Sequence, residues 1–202
     1  MPLLIACAAI VLAVFSPFLA YRTPAYIVGG FAGIICLALL LFQPLLAAGY
    51  LPGLGPRSAR RWHMWLGWGI IGGVVLHVGG LFVTSPPDTL DALMLVSPTP
   101  FSVYGVTAMW GIVITGILVG MRRKLRLRYP TWRLVHNGIA LIVIISTVIH
   151  AVQIEGAMEP VSKWVLCIAV LIVTTATLFD LRVRKPMLQW REARRARKTG
   201  RA

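Results

Sequence analysis

The chain has 202 residues, 58% of them hydrophobic and only 13% charged, with a formal net charge of +14. Its mean hydropathy is +0.81. A soluble domain is nearer half apolar and a quarter charged, so this composition excludes a water-soluble globular protein and points to the bilayer.

In chain order, uncharged stretches run Pro2 to Tyr21, Thr23 to Pro56, Trp62 to Pro87, Ala92 to Met121, Leu134 to Ile154 and Trp164 to Phe179. A crossing needs about 20 residues. Five stretches meet that length, and the sixth, with 16 residues, suffices if Lys163 snorkels to the interface. The expected fold is an all-α integral membrane protein. Its six transmembrane helices fall near 3–20, 26–50, 62–84, 102–121, 134–154 and 162–180, in one domain over 1–181 followed by a basic cytoplasmic tail over 182–202. The first stretch is read as a retained helix rather than a signal peptide. No basic residue precedes it, and Phe18-Leu19-Ala20 places a large residue where a cleavage site takes a small one.

Charge gives the expected orientation. With loops assigned in alternation, one side collects Arg57, Arg60 and Arg61, the six basic residues from Arg122 to Arg133, and the nine from Arg182 to Arg201. That is 18 of the 20 basic residues, while the other side has Arg22 and Lys163 beside Asp88, Asp91, Glu155 and Glu159. Positive loops stay in the cytoplasm, so the expectation is a multi-pass protein of the cell (inner) membrane with both termini cytoplasmic. The basic tail then faces anionic lipid rather than nucleic acid. Cys7, Cys36 and Cys167 fall inside the spans without C-x-x-C spacing and read as packing residues.

The third stretch contains a literal G-x-G-x-x-G, Gly67 to Gly72. A dinucleotide turn needs a preceding strand and a helix N-terminus open to phosphate. These glycines lie in mid-span, so the nucleotide reading fails. Gly67, Gly69 and Gly72, with Gly73, Gly79 and Gly80, are expected to admit a bulky group or another helix close to the backbone.

The four histidines carry the functional signal. His63 and His77 are 14 residues apart on the third helix, and His136 and His150 are 14 apart on the fifth. Fourteen residues make nearly four turns, so each pair shares a helix face at two levels about 21 Å apart. Laid side by side, His63 meets His136 near the inner surface and His77 meets His150 near the outer one. A lone intramembrane histidine can simply bond across helices, but matched spacing on two parallel helices makes coincidence a poor account. One metal ion cannot bridge levels about 21 Å apart, and no carboxylate at those depths completes two separate ion sites. Two facing imidazoles can hold a haem, one axial ligand on each side, so haem sites are expected between helices three and five. Gly67, Ile70 and Val74, with Ala140, Val143 and Thr147, lie along the faces between the levels and are small or apolar. Arg60, Arg61 and Arg133 lie a turn or less from the inner histidines. Two readings stand for them: pairing with haem propionates, or the positive-inside bias alone.

At RRWHMWLGWGIIGGVVLH and LRLRYPTWRLVHNGIALIVIISTVIH the chain resembles the ferric-reductase-like transmembrane domain. That domain is shared by ferric-chelate reductases, NADPH oxidases and the haem-binding membrane subunit of the bacterial methionine sulfoxide reductase system. The resemblance covers about residues 55–180 and rests on the paired histidine spacing and on L-R-x-R-Y-x-x-W-R-x-x-H. It implies b-type haems with bis-histidine ligation, here His63 with His136 and His77 with His150, and electron flow from the cytoplasmic to the outer face. The methionine sulfoxide reductase branch lacks the inner histidine of the third helix, so His63 points to the two-haem pattern.

The departure is LRVRKPMLQWREARRARKTGRA, which is too short and too basic for the flavin and nicotinamide domain that follows in full reductases and oxidases. The expected donor is a cytoplasmic flavoprotein reductase, so that flavin enters through a partner, or a quinol. The outer acceptor is unassigned. Two rival classes are a quinone-linked cytochrome b subunit and a non-redox transporter or scaffold. The latter would place carboxylates beside the histidines at mid-depth, where there are none.

Overall fold

The computed structural model describes residues 1–198. The last four residues of the expected tail, 199–202 with Arg201, lie outside the described residues. Among the described residues every regular element is helical.

Proline sets most of the helix starts, because at the first helical positions its missing N–H costs nothing and its fixed φ is already helical. Helix α1 spans Pro2–Val14, α2 Pro24–Ala48, α3 Pro56–Thr84, α4 Pro86–Leu93 and α5 Pro100–Gly120. A four-residue α6, Arg122–Leu125, precedes α7, Tyr129–Gln153, and α8 spans Pro160–Phe179. Several boundaries correct the sequence expectation. Helix α3 begins at Pro56 rather than near 62, and α7 at Tyr129, beside Pro130, rather than near 134. Both extra turns are polar, so an apolar-stretch criterion cut them off although the proline signal was present. The 84–100 connection holds α4, where the Ser85 hydroxyl donates to Asp88 at 2.6 Å.

The first helix departs most. It stops at Val14, and Pro17–Leu19 form a 3₁₀ turn capped by the Ser16 hydroxyl. Pro17 has no N–H to continue the ladder and disfavours helical geometry in the residue before it. Thirteen residues rise only about 20 Å, against a hydrocarbon core of about 30 Å. Five helices are long and apolar enough to cross a membrane: α2, α3, α5, α7 and the run from Pro160 through Arg194. The chain is thus a multi-pass membrane protein. Within the expected tail, a π turn over Asp180–Arg184 joins α8 to α9, Lys185–Lys198.

Lys163 also corrects the expectation. Its side chain is buried, and Nζ donates to the carbonyl of Ile154 at 2.6 Å instead of reaching water. Its charge ties the start of α8 to the end of α7. Glu159 caps the same helix by accepting the N–H groups of Val161 and Ser162, at 2.8 and 2.9 Å. The Ser162 and Val161 amides hold its carboxyl below the usual range.

The core lies where α2, α7 and α8 meet, around Leu37, Leu41, Ile144, Val148, Leu166 and Val170. Ala6, Ala9 and Ala13 of α1 are buried at the small-residue spacing that lets membrane helices approach closely. Helix α3 packs along α2, and α5 along α7, so α3 and α7 are held by different neighbours rather than tightly against each other. That arrangement leaves room between the two histidine helices.

The α2–α3 contact depends on glycine. A Cβ at Gly80 would lie 2.7 Å from the Ala25 carbonyl oxygen and 2.8 Å from the Gly29 Cα, whereas one at Gly72 would meet nothing within 4 Å. Gly80→Ala is expected to lower stability by about 1–3 kcal/mol through overpacking. Gly72→Ala should stay within about 0.5 kcal/mol of the parent. Thermal unfolding in detergent checks the pair; equal effects would contradict this packing.

Candidate functional site

The four histidines form two facing pairs. The ring centres of His63 and His136 are 6.3 Å apart at an interplanar angle of 72°. Those of His77 and His150 are also 6.3 Å apart, at 85°. Each pair joins α3 to α7, so one geometry recurs at two levels.

Backbone carbonyls hold three of the rings from behind. His63 Nδ1 bonds the Gln43 carbonyl at 3.1 Å, and His77 Nδ1 the Gly29 carbonyl at 2.8 Å. His150 Nδ1 bonds the Phe101 carbonyl at 2.8 Å. A carbonyl only accepts, so Nδ1 carries the proton in these three rings and Nε2 keeps its lone pair. Gly29 and Gln43 are themselves 14 residues apart, like the histidines they serve. Antiparallel packing of α2 on α3 turns one repeat into the other. Gln43 adds a second tie, its side-chain amide donating to the His63 carbonyl at 3.3 Å.

Two glycines make room for the outer rings. A Cβ at Gly33 would sit 2.9 Å from His77 Nδ1, and one at Gly105 would sit 2.6 Å from His150 Cε1. Phe101 meets the His150 ring edge-on at 5.9 Å. Beside the outer pair lies a cavity of about 400 Å³, lined by His77, His150, Gly33, Val74, Val106 and Thr147. It reaches Arg22 and Asp88 at the end of the bundle near α4.

The inner pair is built differently. His136 stacks on Trp132 at 5.2 Å and 9°, and Trp132 stacks on Tyr129 at 6.1 Å. The Arg122 guanidinium covers the Trp132 ring at 4.5 Å. Of the three arginines singled out from the sequence, Arg60 and Arg61 are exposed on the first turns of α3. Arg133 lies 5.6 Å from the centre of the Tyr129 ring, and its carbonyl accepts from Arg182. None of the three forms an ion pair among the described residues.

Between the levels, Ile70 and Val143 are buried, and Cys36 Sγ bonds the Ile70 carbonyl at 3.5 Å. The expectation for the glycines of the G-x-G-x-x-G holds only in part. A Cβ at Gly69 would touch Leu39 at 3.6 Å, while Gly72 faces open space. The expectation is met at Gly73, against Cys36 Sγ, and at Gly80, while Gly79 like Gly72 meets nothing within 4 Å.

Sequence reasoning did not find the acceptors at Gly29, Gln43 and Phe101, because every residue has a carbonyl. Gly33, Gly105 and the Tyr129–Trp132 stack were also missed. The 14-residue repeat from Gly29 to Gln43 was the available signal for α2. Each level brings two imidazole rings together, and a backbone carbonyl holds Nδ1 in three of the four. No group of three or more His, Cys, Asp or Glu side chains able to hold a metal ion occurs among the described residues.

Comparison with known families matches the chain to the family described as ferric reductase like transmembrane component, over residues 29–147. No curated protein and no solved structure matches the chain. The matched segment takes in α3, most of α2 and α7, and His63, His77 and His136, and it ends three residues before His150. Covering more than half of the sequence, it shows that the chain belongs to the ferric-reductase-like transmembrane component family.

Proposed function

We propose that the bundle is a transmembrane b-type cytochrome carrying electrons from a cytoplasmic donor to an acceptor on the outer face. In this reading His63 with His136 and His77 with His150 are the axial ligands of two haems. The observation that carries it is the spacing of the rings. An imidazole centre lies about 1.1 Å from its nitrogen and a metal–nitrogen bond is about 2.0–2.1 Å, so imidazoles on opposite sides of one iron have centres about 6.2–6.4 Å apart. Both pairs stand at 6.3 Å.

Haem bound there supplies reversible one-electron chemistry at iron, tuned by its axial imidazoles and their hydrogen bonds. The chain's own residues do the rest. The carbonyls of Gly29, Gln43 and Phe101 fix the Nδ1–H tautomer, orient each ring and raise the basicity of Nε2. Gly33 and Gly105 keep the space behind the outer rings free. Val74, Val106 and Ile70 keep water from the region between α3 and α7. Arg60, Arg61 and Arg133 serve the carboxylates of the inner haem, as their place beside His63 and His136 allows.

The same reading makes α1, with Phe15 to Leu19, the first of six crossings. Both termini and the Arg122–Arg133 loop then share the cytoplasmic side of the cell membrane, with 18 of the 20 basic residues. Electrons come from a cytoplasmic flavoprotein or from quinol on the side of the inner pair. The basic face steers an acidic partner toward the inner pair.

Variant spectra of the purified protein test the assignment. His77→Ala and His150→Ala should each remove the outer haem, and His63→Ala and His136→Ala the inner one. Gly105→Ala should weaken retention of the outer haem alone by about 10–100-fold. NAD(P)H added alone should leave the oxidised spectrum unchanged. Full haem content in His150→Ala would contradict the ligand assignment, and direct reduction by NAD(P)H would contradict the separate donor.

Reporter fusions test the topology. A fusion at the N-terminus, at Arg126 or at the C-terminus should report cytoplasm, and one within α4 the outer side. An N-terminus reporting outside would remove α1 from the crossings and leave five.

A further inference from the structure

The two levels differ in one detail of the hydrogen bonding behind the rings. Three histidines have Nδ1 held by a carbonyl of the neighbouring helix. His136 does not: its Nδ1 is buried and has no hydrogen-bond partner. On α2 and α3, moving 14 residues back from His77 to His63 moves the acceptor 14 residues forward, from Gly29 to Gln43. The antiparallel pair α5 and α7 obeys the same arithmetic. Moving from His150 back to His136 takes the acceptor position from Phe101 forward to Thr115.

Thr115 Oγ1 is itself buried without a partner. Some threonine hydroxyls within these helices bond their own backbone four residues back, while Thr174 Oγ1, like Thr115 Oγ1, has no partner. Thr107, on the same helix, bonds the Val103 carbonyl at 2.8 Å, and Thr175 bonds Leu171 at 2.8 Å. On its own helix Thr115 differs from Thr107 in lacking that bond. Gly111, one turn before it, faces α7, since a Cβ there would lie 2.5 Å from Val143 Cγ2 and 3.7 Å from Ile139 Cγ2. One turn further along the same face of α5 comes level with His136 on α7.

We infer that Thr115 is the positioning residue of His136, its hydroxyl accepting the Nδ1 proton where the other three histidines use a carbonyl. A buried donor and a buried acceptor, unpaired at matching positions of two packed helices, each carry the cost of an unmade hydrogen bond that pairing would remove. The Thr115 hydroxyl proton remains free to donate to the Gly111 carbonyl four residues back. His136 thus becomes the one histidine whose orientation and basicity depend on a replaceable side chain. The consequence for haem rests on the ligand assignment proposed above; the hydrogen bond itself does not.

The test compares Thr115→Val, which keeps the shape and removes the hydroxyl, with Thr115→Ser, which keeps the hydroxyl. In haem-free protein labelled with 15N-histidine, the Nδ1 proton of His136 should exchange slowly with water in the parent and Thr115→Ser, and at least tenfold faster in Thr115→Val. In loaded protein, Thr115→Val should raise the midpoint potential of the inner haem and loosen its retention about tenfold or more, leaving the outer haem unchanged. Should Thr115→Val not fold, Thr115→Ala carries the same comparison. Unchanged exchange in the hydroxyl-free variant would overturn the inference, as would equal losses in Thr115→Ser and Thr115→Val. A parent protein that binds no haem would sink the functional reading while leaving the exchange measurement to decide this one.

Discussion

An imidazole in a bilayer must satisfy both ring nitrogens without water, and the rest of this structure depends on how that is done. At three of the four histidines the answer is a hydrogen bond from Nδ1 to a carbonyl of the adjacent helix. Unpaired polar groups are costly in lipid, so each bond fixes the tautomer and the relative slide of two helices together. Gln43 and Gly29 set α3 against α2, and Phe101 sets α5 against α7. With Nδ1 committed, Nε2 is the atom left for whatever lies between the pairs.

The bundle's layout follows from that demand. Hydrophobic burial does not drive helices together in lipid, where packing and small residues decide. Large aliphatic side chains such as Leu41, Leu166 and Val170 fill the junction of α2, α7 and α8. At three places a glycine stands where a backbone or ring comes too close for a Cβ: Gly80 against α2, Gly33 behind His77, and Gly105 behind His150. Helices α3 and α7, braced from outside by α2 and α5, present their histidines across a gap instead of closing it.

Much of this was legible in the sequence, for reasons particular residues make clear. The long apolar stretches gave the helices of the bundle, because α2, α3, α5, α7 and α8 must each supply some 20 lipid-compatible residues. The 14-residue spacing gave the levels at which His63 faces His136 and His77 faces His150, because helical periodicity is rigid over four turns. What escaped was local or backbone-borne. Pro17 ends the first helix early, and Pro56 and Pro130 begin helices inside polar sequence that hydropathy treats as loop. Lys163 looked long enough to reach the interface, yet it finds the Ile154 carbonyl. The acceptors behind the histidines were invisible because a carbonyl has no letter in the sequence. Only the register of two packed helices reveals them, and that register also brings Thr115 to the level of His136.

The claim that both levels hold haem is tested most directly by the haem-to-protein ratio of the purified, unaltered chain, read with its reduced-minus-oxidised spectrum. The account predicts two non-covalently bound b-type haems per chain, both six-coordinate with imidazole on each side. A ratio of one, or a chain that takes up no haem when it is supplied, would contradict it.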